Sequence, residues 1–152
     1  MGTAEDIPEV HRLICELAEF ERAPHEVTNT PEQMLADGFG NNPVYLMWVA
    51  EKDQHIVGIA LCYTRYSTWK GRMLYLEDIV VNDQYRNQGI GHSLFETCMK
   101  HSMAGNFAGM IWQVLDWNVD AIRFYSRFNA HFDNGWVNGK LTRQDIERYF
   151  SS

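Results

Sequence analysis

The chain has 152 residues, of which 45% are hydrophobic and 22% are charged, which is the composition of one soluble globular domain with a proper core. No apolar stretch approaches the roughly 18 residues that a membrane-spanning helix needs, so we expect no membrane partner. The net charge of −7 argues against a nucleic-acid partner and favours a cationic one, although solubility alone would also explain it.

The cysteines, the histidines and the start of the chain limit the chemistry further. Three scattered cysteines, Cys15, Cys62 and Cys98, predict reduced core thiols rather than disulfides. The first residues lack a basic segment followed by an apolar one, so they show no signal peptide, and a cytoplasmic location fits both observations. The six histidines have no paired ligand spacing and the chain has no Cys-x-x-Cys, so we expect no bound metal.

Two helices are predicted in the first forty residues. The first follows Asp6, a possible cap, and ends by Pro24. Its apolar residues recur at the spacing of one helix face: Val10, Leu13, Ile14, Leu17 and Ala18. The second begins with the capping box that starts at Thr30 and stops at Gly38. One face of the first helix is therefore expected to cover a core.

Three strands are predicted next, over residues 44–51, 56–66 and 72–81. The turns between them are short, and short turns join antiparallel neighbours. We therefore expect two consecutive hairpins.

The later part of the chain mixes helices with strands. The pattern predicts a long helix, a strand, a helix that Asn118 caps, a possible strand around Trp136, and a last helix with a capping signature at Thr142. The ranges of the first three are 91–104, 109–116 and 119–128. This order predicts one domain over residues 1–152 of the α/β or α+β class, with a sheet of mixed direction.

The run from Arg86 to Gly91 is glycine-rich and joins the third strand to the long helix. Such a turn exposes backbone N–H groups at the positive end of a helix dipole, where a phosphate or pyrophosphate can bind. A tight connection without a ligand would look the same in sequence. A Rossmann dinucleotide site is disfavoured, because three strands precede the turn and Asn87 stands where that fingerprint wants a glycine.

Glu77 and Asp78 lie inside the third predicted strand among apolar neighbours. Loss of hydration should raise the pKa of such a carboxyl group, which is what a general base near neutral pH requires. Side chains alternate along a strand, so we expect Glu77 to share a face with Tyr75 and Ile79, and Asp78 to share the other face with Leu76 and Val80, which excludes a paired dyad. Backbone donors or an arginine could instead satisfy both carboxylates.

Tyr125 lies about two turns into the helix that Asn118 caps. A phenol has an ordinary pKa near ~10, so at neutral pH Tyr125 can donate a proton to a ligand on the glycine turn. A core aromatic is the other interpretation of this Phe-Tyr pair. The absence of a Gly-x-Ser-x-Gly motif makes serine-hydrolase chemistry a poor alternative.

Taken together, these segments resemble the GNAT acetyltransferases, whose acetyl-CoA signature Arg/Gln-x-x-Gly-x-Gly/Ala is similar to Arg86–Gly91. Within that superfamily the chain resembles the diamine (spermidine/spermine) and the thialysine N-acetyltransferases. The resemblance rests on these stretches: Leu17–Glu21, Asp37–Gly40, Tyr66–Arg72, Tyr75–Ile79, Leu115–Asn118 and Phe124–Tyr125. It implies a mixed, mostly antiparallel sheet flanked by helices, acetyl-CoA as cosubstrate and a homodimer. The family usually has a strand ahead of the first helix, whereas this sequence begins almost at that helix, so we expect that this strand is missing or that the true start lies upstream.

The resemblance also implies the coenzyme contacts. The pantetheine arm should pair along one strand, the pyrophosphate should bind the glycine turn, and a later helix start should line the rest. The implied residues are Ile79, Val80, Val81, Arg86, Asn87, Gln88, Gly89, Ile90, Gly91, His92, Asn118, Val119, Asp120 and Ala121. Asn87 replaces a glycine that is common in this loop, which would cost backbone freedom.

The resemblance implies that Tyr125 protonates the leaving thiolate and that Glu77 takes the proton of the amine, directly or through water. The implied acceptor pocket contains Phe20, Glu21, Ser67, Thr68, Trp69, Glu77 and Asp78. Ser67–Trp69 is similar to the thialysine-type relatives, since diamine-type members tend to carry aspartate at the first position. The expected function is acetyl transfer to a small cationic amine. A protein amine as acceptor, or a non-catalytic acyl-CoA sensor, remains the alternative.

Overall fold

A computed structural model describes residues 1–151, which form two compact units, Met1–Gln113 and a second unit that begins at Val114. The first unit contains a four-stranded sheet in the order β1-β2-β3-β4. The strands are β1 Leu46–Lys52, β2 His55–Ser67, β3 Gly71–Val81 and β4 Met110–Ile111. β1 and β3 pair antiparallel with β2, and β4 pairs parallel with β3. The predicted mixed, mostly antiparallel sheet is confirmed.

Three helices flank this sheet: α1 Ile7–Phe20, α2 Pro31–Phe39 and α3 Ile90–Ala104. α2 begins as predicted, because Thr30 Oγ1 accepts a hydrogen bond from the backbone N–H of Gln33 at 3.2 Å. Asp6 does not cap α1 with its side chain. It lies in a short 3₁₀ turn, where its carboxylate accepts a 2.7 Å hydrogen bond from the backbone N–H of Thr3.

Two elements are shorter in the structure than the sequence predicts. α1 ends at Phe20, before Pro24, since Arg22 takes a positive φ of 61° that no α-helix continues. β4 has only two residues, because β3 pairs with it solely at Leu74 and Tyr75. Within the described residues no strand precedes α1, and Gly2 makes a single backbone hydrogen bond of 2.9 Å to Met47.

The core of the first unit lies where α1 and α2 cover the sheet. The apolar stripe predicted for α1 supplies Val10 and Leu13, neither of which is exposed at all. They belong to one cluster with Ile7 of α1, Met34 of α2 and inward side chains of the strands: Met47, Ile56, Ile59, Leu61 and Val80. This packing holds the end of α1 near β3, where the charge of Glu21 acts on Asp78.

The second unit contains α4 Val119–Ser126 and α5 Arg143–Ser151. The capping signature of α5 is confirmed, because the backbone N–H of Asp145 donates to Thr142 Oγ1 at 3.1 Å and the backbone N–H of Thr142 donates to the Asp145 carboxylate at 3.0 Å. The strand expected around Trp136 is wrong: residues 130–142 form no strand, and the Trp136 indole is exposed and donates to Asp133. No helix within residues 1–151 is long and apolar enough to span a bilayer.

We predict that Leu13→Ala lowers the free energy of unfolding by about 2–5 kcal/mol, because it leaves a cavity where α1 meets the sheet. Leu35→Ala on the 42% exposed side of α2 is the matched control and should cost well under half as much. Urea unfolding of both variants measures the difference. Equal losses would contradict this description of the core.

Candidate active site

One extra residue interrupts β3 at Glu77. Leu76 pairs with Cys62 and Asp78 pairs with Leu61, so two adjacent residues of β2 face three residues of β3. This is a β-bulge, which bends its strand and redirects side chains. Sequence reasoning missed it, because nothing in the local run distinguishes a bulged strand from a regular one.

The bulge corrects the predicted arrangement of faces. Residues directly opposite each other on paired strands point to the same side of the sheet. Tyr75 is opposite Tyr63 and Asp78 is opposite Leu61, so Tyr75 and Asp78 share a face, although alternation would separate them. The prediction that Leu76 and Asp78 share a face is therefore wrong. Glu77 and Asp78 are also not isolated from each other, because the charge of Glu77 acts on Asp78.

The charges of Glu77 and Glu21 both act on Asp78, and we call Glu21, Glu77 and Asp78 the acidic group. Glu21 is the residue that follows the last turn of α1. Burial, together with the charges of Glu77 and Glu21, raises the pKa of Asp78 to about 6. Burial also raises the pKa of half-buried Glu21. The predicted rise is thus found on Asp78, while Glu77 is exposed.

Aromatic rings border the acidic group. The rings of Tyr63 and Tyr75 stack with their centroids 5.0 Å apart, and burial together with the charge of Glu77 raises the pKa of both phenols. The exposed ring of Phe20 lies at the end of α1, with the Arg86 guanidinium 5.6 Å from its centroid. Tyr63 was not anticipated from the sequence, since its position depends on the register between β2 and β3.

The glycine turn leads directly from β3 to α3. Asn87 and Gly89 take positive φ values of 60° and 81°. Asparagine tolerates the left-handed region, so the residue that departs from the family pattern still adopts a turn conformation. α3 starts at Ile90, and its first turn has N–H groups that no helical carbonyl accepts. Lys52 Nζ donates to Gln88 Oε1 at 2.6 Å and adds a positive charge beside the turn.

β3 keeps one edge unpaired next to this turn. β2 pairs along the whole of β3, whereas β4 pairs only with Leu74 and Tyr75. Among the strands of residues 1–151, none covers the second edge from Leu76 to Val81. Backbone groups that point to that edge can therefore bind an extended ligand. A cavity of about 420 Å³ adjoins the turn on the side of β1, between Ala50 and Gly89.

The β2–β3 turn lies far from the acidic group. Ser67 Oγ accepts hydrogen bonds from the backbone N–H groups of Trp69 and Lys70 at 3.3 and 3.2 Å, and the Trp69 side chain is 85% exposed. Ser67 pairs with Gly71, six positions along β2 from Leu61, so roughly 20 Å of strand separates the turn from the acidic group. Ser67, Thr68 and Trp69 are not brought together with Glu21, Glu77 and Asp78.

In the second unit, Asn118 caps α4 as predicted, because its Oδ1 accepts a 3.2 Å hydrogen bond from the backbone N–H of Ala121. Tyr125 is 6% exposed and meets the edge of the Phe124 ring at 5.2 Å between centroids. Both the catalytic and the core interpretation of Tyr125 agree with this burial, so its role stays a prediction. Val119 and Asp120 are exposed at the start of the helix.

Comparison with known proteins identifies the family. Residues 8–130 match the Acetyltransferase (GNAT) family, a span that includes the sheet, the acidic group, the glycine turn and α4. The thialysine N-epsilon-acetyltransferase of Mus musculus is 38% identical over 143 residues, which cover 87% of this chain and 84% of that protein. This chain therefore belongs to the GNAT family and is an acetyltransferase.

Two further comparisons agree on the family and the fold. The spermidine/spermine N(1)-acetyltransferase-like protein 1 of Homo sapiens is 33% identical over 94% of this chain, which spans only 22% of that protein's length. The crystal structure of a tetramutant of the BH1408 protein from Bacillus halodurans superposes with a TM-score of 0.74, covering 92% of this chain and 97% of that one. At 23% identity, that likeness concerns the fold alone.

No three histidine, cysteine, aspartate or glutamate side chains within residues 1–151 are grouped in a way that could hold a metal ion. The acidic group does not have the geometry of such a set. The expectation of a metal-free reaction stays a prediction.

We predict that Asp78→Asn stabilises the protein at pH 7.5 but not at pH 4. The raised pKa of Asp78, about 6 instead of 3.8, means that the folded state holds its proton more tightly, so stability falls as pH rises from about 4 to about 6. Asp78→Asn removes the charge and should therefore raise the free energy of unfolding by about 1–3 kcal/mol above pH 6. Thermal unfolding at both pH values measures this effect, with Asp83→Asn on the exposed turn as the control.

A stabilisation that is the same at pH 4 and pH 7.5 would contradict the raised pKa. So would a larger gain at pH 4. Asp83→Asn loses the ion pair to Arg86, which is worth little at an exposed position. Its effect on thermal unfolding should therefore differ little between the two pH values.

Proposed function

We propose that this protein transfers an acetyl group from acetyl-CoA to the primary amine of a small cationic molecule such as a diamine, a polyamine, thialysine or a lysine-like amino acid. The observation that carries the proposal is the acidic group, Glu21, Glu77 and Asp78, beside an unpaired strand edge and a glycine turn. The names of the thialysine and spermidine/spermine relatives point to the same class of acceptor. Three carboxyl groups attract a cation and repel anionic acceptors.

The residues fit acetyl-CoA, which would supply the acetyl group as a thioester. The open edge of β3 at Ile79, Val80 and Val81 offers backbone partners to the amide groups of a pantetheine arm. The turn from Arg86 to His92 offers helix N–H groups to a pyrophosphate. The start of α4 from Asn118 to Ala121 would contribute the remaining contacts, as the resemblance implies. A strand N–H near Ile79 is suited to stabilise the oxyanion.

The amine must lose a proton before it can attack. A primary ammonium has a pKa near ~10, so only about 0.1% is free base at pH 7. We assign proton removal to Glu77, because it is exposed at the bulge and can pass the proton to water. Asp78, with a pKa of about 6, would stay mostly charged at pH 7 and hold the cation together with Glu21. Activity should therefore fall below about pH 6.

Phe20 would border the acceptor as an apolar wall. Ser67, Thr68 and Trp69 would contact only the far end of an extended acceptor, because roughly 20 Å of strand separates them from the acidic group. Tyr125 would donate a proton to the departing thiolate of coenzyme A.

We also propose that the protein acts as a homodimer in the cytoplasm, without a nucleic-acid or membrane partner. Support for a dimer comes from α5, which exposes Ile146, Tyr149 and Phe150 at 43%, 76% and 81%. Support for a reducing compartment comes from the three cysteines, all of which are free thiols.

The proposed function is tested by thiol release from acetyl-CoA across a panel of diamines, polyamines, lysine, thialysine and lysine-containing peptides. We expect turnover with small cationic amines and little with peptides. Turnover only with peptides would contradict the acceptor class. Calorimetry with acetyl-CoA, in parallel, separates an inactive sensor, which binds without turnover, from a protein that does not bind the coenzyme at all. Either of these two results would contradict the proposed activity.

We predict that Tyr125→Phe lowers kcat by about 10²–10⁴-fold with little change in the affinity for acetyl-CoA, because only the proton donor is removed. Tyr66→Phe, at a 72% exposed position on β2, is the matched control and should retain wild-type kcat. Steady-state kinetics and calorimetry on both variants make the measurement. Wild-type turnover in Tyr125→Phe would remove Tyr125 from the mechanism and leave it as a core aromatic.

A further inference from the structure

One face of the β2–β3 hairpin carries opposite charges at its two ends. Arg65, Tyr63 and Leu61 alternate along β2 on this face, and Tyr75 and Asp78 are the cross-strand partners of Tyr63 and Leu61. A guanidinium therefore lies at one end, the acidic group lies at the other, and two stacked phenol rings lie between them. We call Arg65, Tyr63, Tyr75 and Asp78 the charged face.

Arg65 is directed along this face toward the acidic group. Its guanidinium carbon lies 5.7 Å from the centroid of the Tyr75 ring, and its charge acts on the phenols of both Tyr75 and Tyr63. The side chain is exposed, and no ion pair is found for it in the part of the chain that the structure describes. Arg65 therefore presents N–H donors beside the acceptor region without a carboxylate of its own.

Three other arginines of the first unit differ from Arg65, because two of them pair with carboxylates and the third lies on the other face of the hairpin. Arg86 forms an ion pair with Asp83 at 2.6 Å, and Arg12 forms one with Glu9 at 3.0 Å. Arg72 lies on the opposite face of the hairpin, with its guanidinium carbon 4.6 Å from the centroid of the Phe107 ring.

The contact of Arg65 with the Tyr75 ring leaves the edge of its guanidinium available. That edge can bind a carboxylate through two parallel hydrogen bonds.

We propose that Arg65 binds a carboxylate of the acceptor, so that the preferred substrate is an amino acid with a side-chain amine rather than a diamine or polyamine. This inference rests on the proposed function. The side-chain ammonium would lie at the acidic group and the α-carboxylate at Arg65, with the alkyl chain against the phenol rings. Such a molecule matches both ends of the charged face.

The same geometry acts against a diamine. An acceptor with an ammonium at each end would bring its second positive charge to the guanidinium, where like charges repel. A face that carried only acidic groups, without Arg65, would favour the diamine instead. Arg65 thus determines specificity without taking part in the chemical step.

The test uses pairs of acceptors that differ only in the carboxylate: lysine against cadaverine, and thialysine against its decarboxylated counterpart. For wild-type protein we expect the higher kcat/KM with each amino acid. Arg65→Gln should raise KM for the amino acids about 10- to 100-fold, the value of a charge-assisted hydrogen-bonded pair, and leave kcat within about twofold. KM for the diamines should stay the same or fall. Arg65→Lys should recover part of the loss.

Arg72→Gln is the matched control and should change none of these constants, and thermal unfolding checks that every variant is folded. Absence of turnover with all four acceptors would overturn the proposed function itself. Turnover with a preference for the diamines would overturn the assignment of Arg65 but leave the amine acetyltransferase standing. An equal change of KM for amino acids and diamines in Arg65→Gln would overturn it as well.

Discussion

The chemistry of the first unit depends on the extra residue in β3. Without it, Asp78 would point to the same side as Leu76, among the buried side chains that include Cys62. With it, Asp78 turns to the side of Leu61, where Glu21 arrives at the end of α1. One inserted position thus converts two neighbouring carboxyl groups of a strand into part of a shared electrostatic site.

Packing holds this site in place. Leu13 and Val10 anchor α1 against the sheet, which keeps Glu21 close to Asp78 although like charges repel. The repulsion and the loss of hydration cost free energy, which the surrounding apolar burial offsets. This unfavourable electrostatic free energy is concentrated at the acidic group, where a bound cation would reduce it. That is the arrangement expected of a site whose ligand, and not the protein, supplies the compensating charge.

Much of the fold could be read from the sequence. The stripe with Leu13, the cap at Thr30 and the glycine turn are local patterns, and each was confirmed. The short β4 and the coil around Trp136 were not readable, because strand formation there depends on a partner elsewhere in the chain. For the candidate site, Glu77 and Asp78 were predicted from the sequence, but their faces and the position of Arg65 depend on cross-strand register, which no local pattern encodes.

The unpaired edge of β3 affects which substitutions the binding of a ligand can tolerate during evolution. A molecule that lies along an open strand is gripped by peptide groups, and every residue except proline carries the same ones. Substitutions on the outward side chains of Leu76–Val81 would thus leave that grip intact. In the proposed reaction, acceptor choice would instead depend on a few replaceable side chains on one face of the hairpin. Under that proposal the fold could keep its acetyl donor while its acceptor changed, so two separate selective pressures would act on one short hairpin.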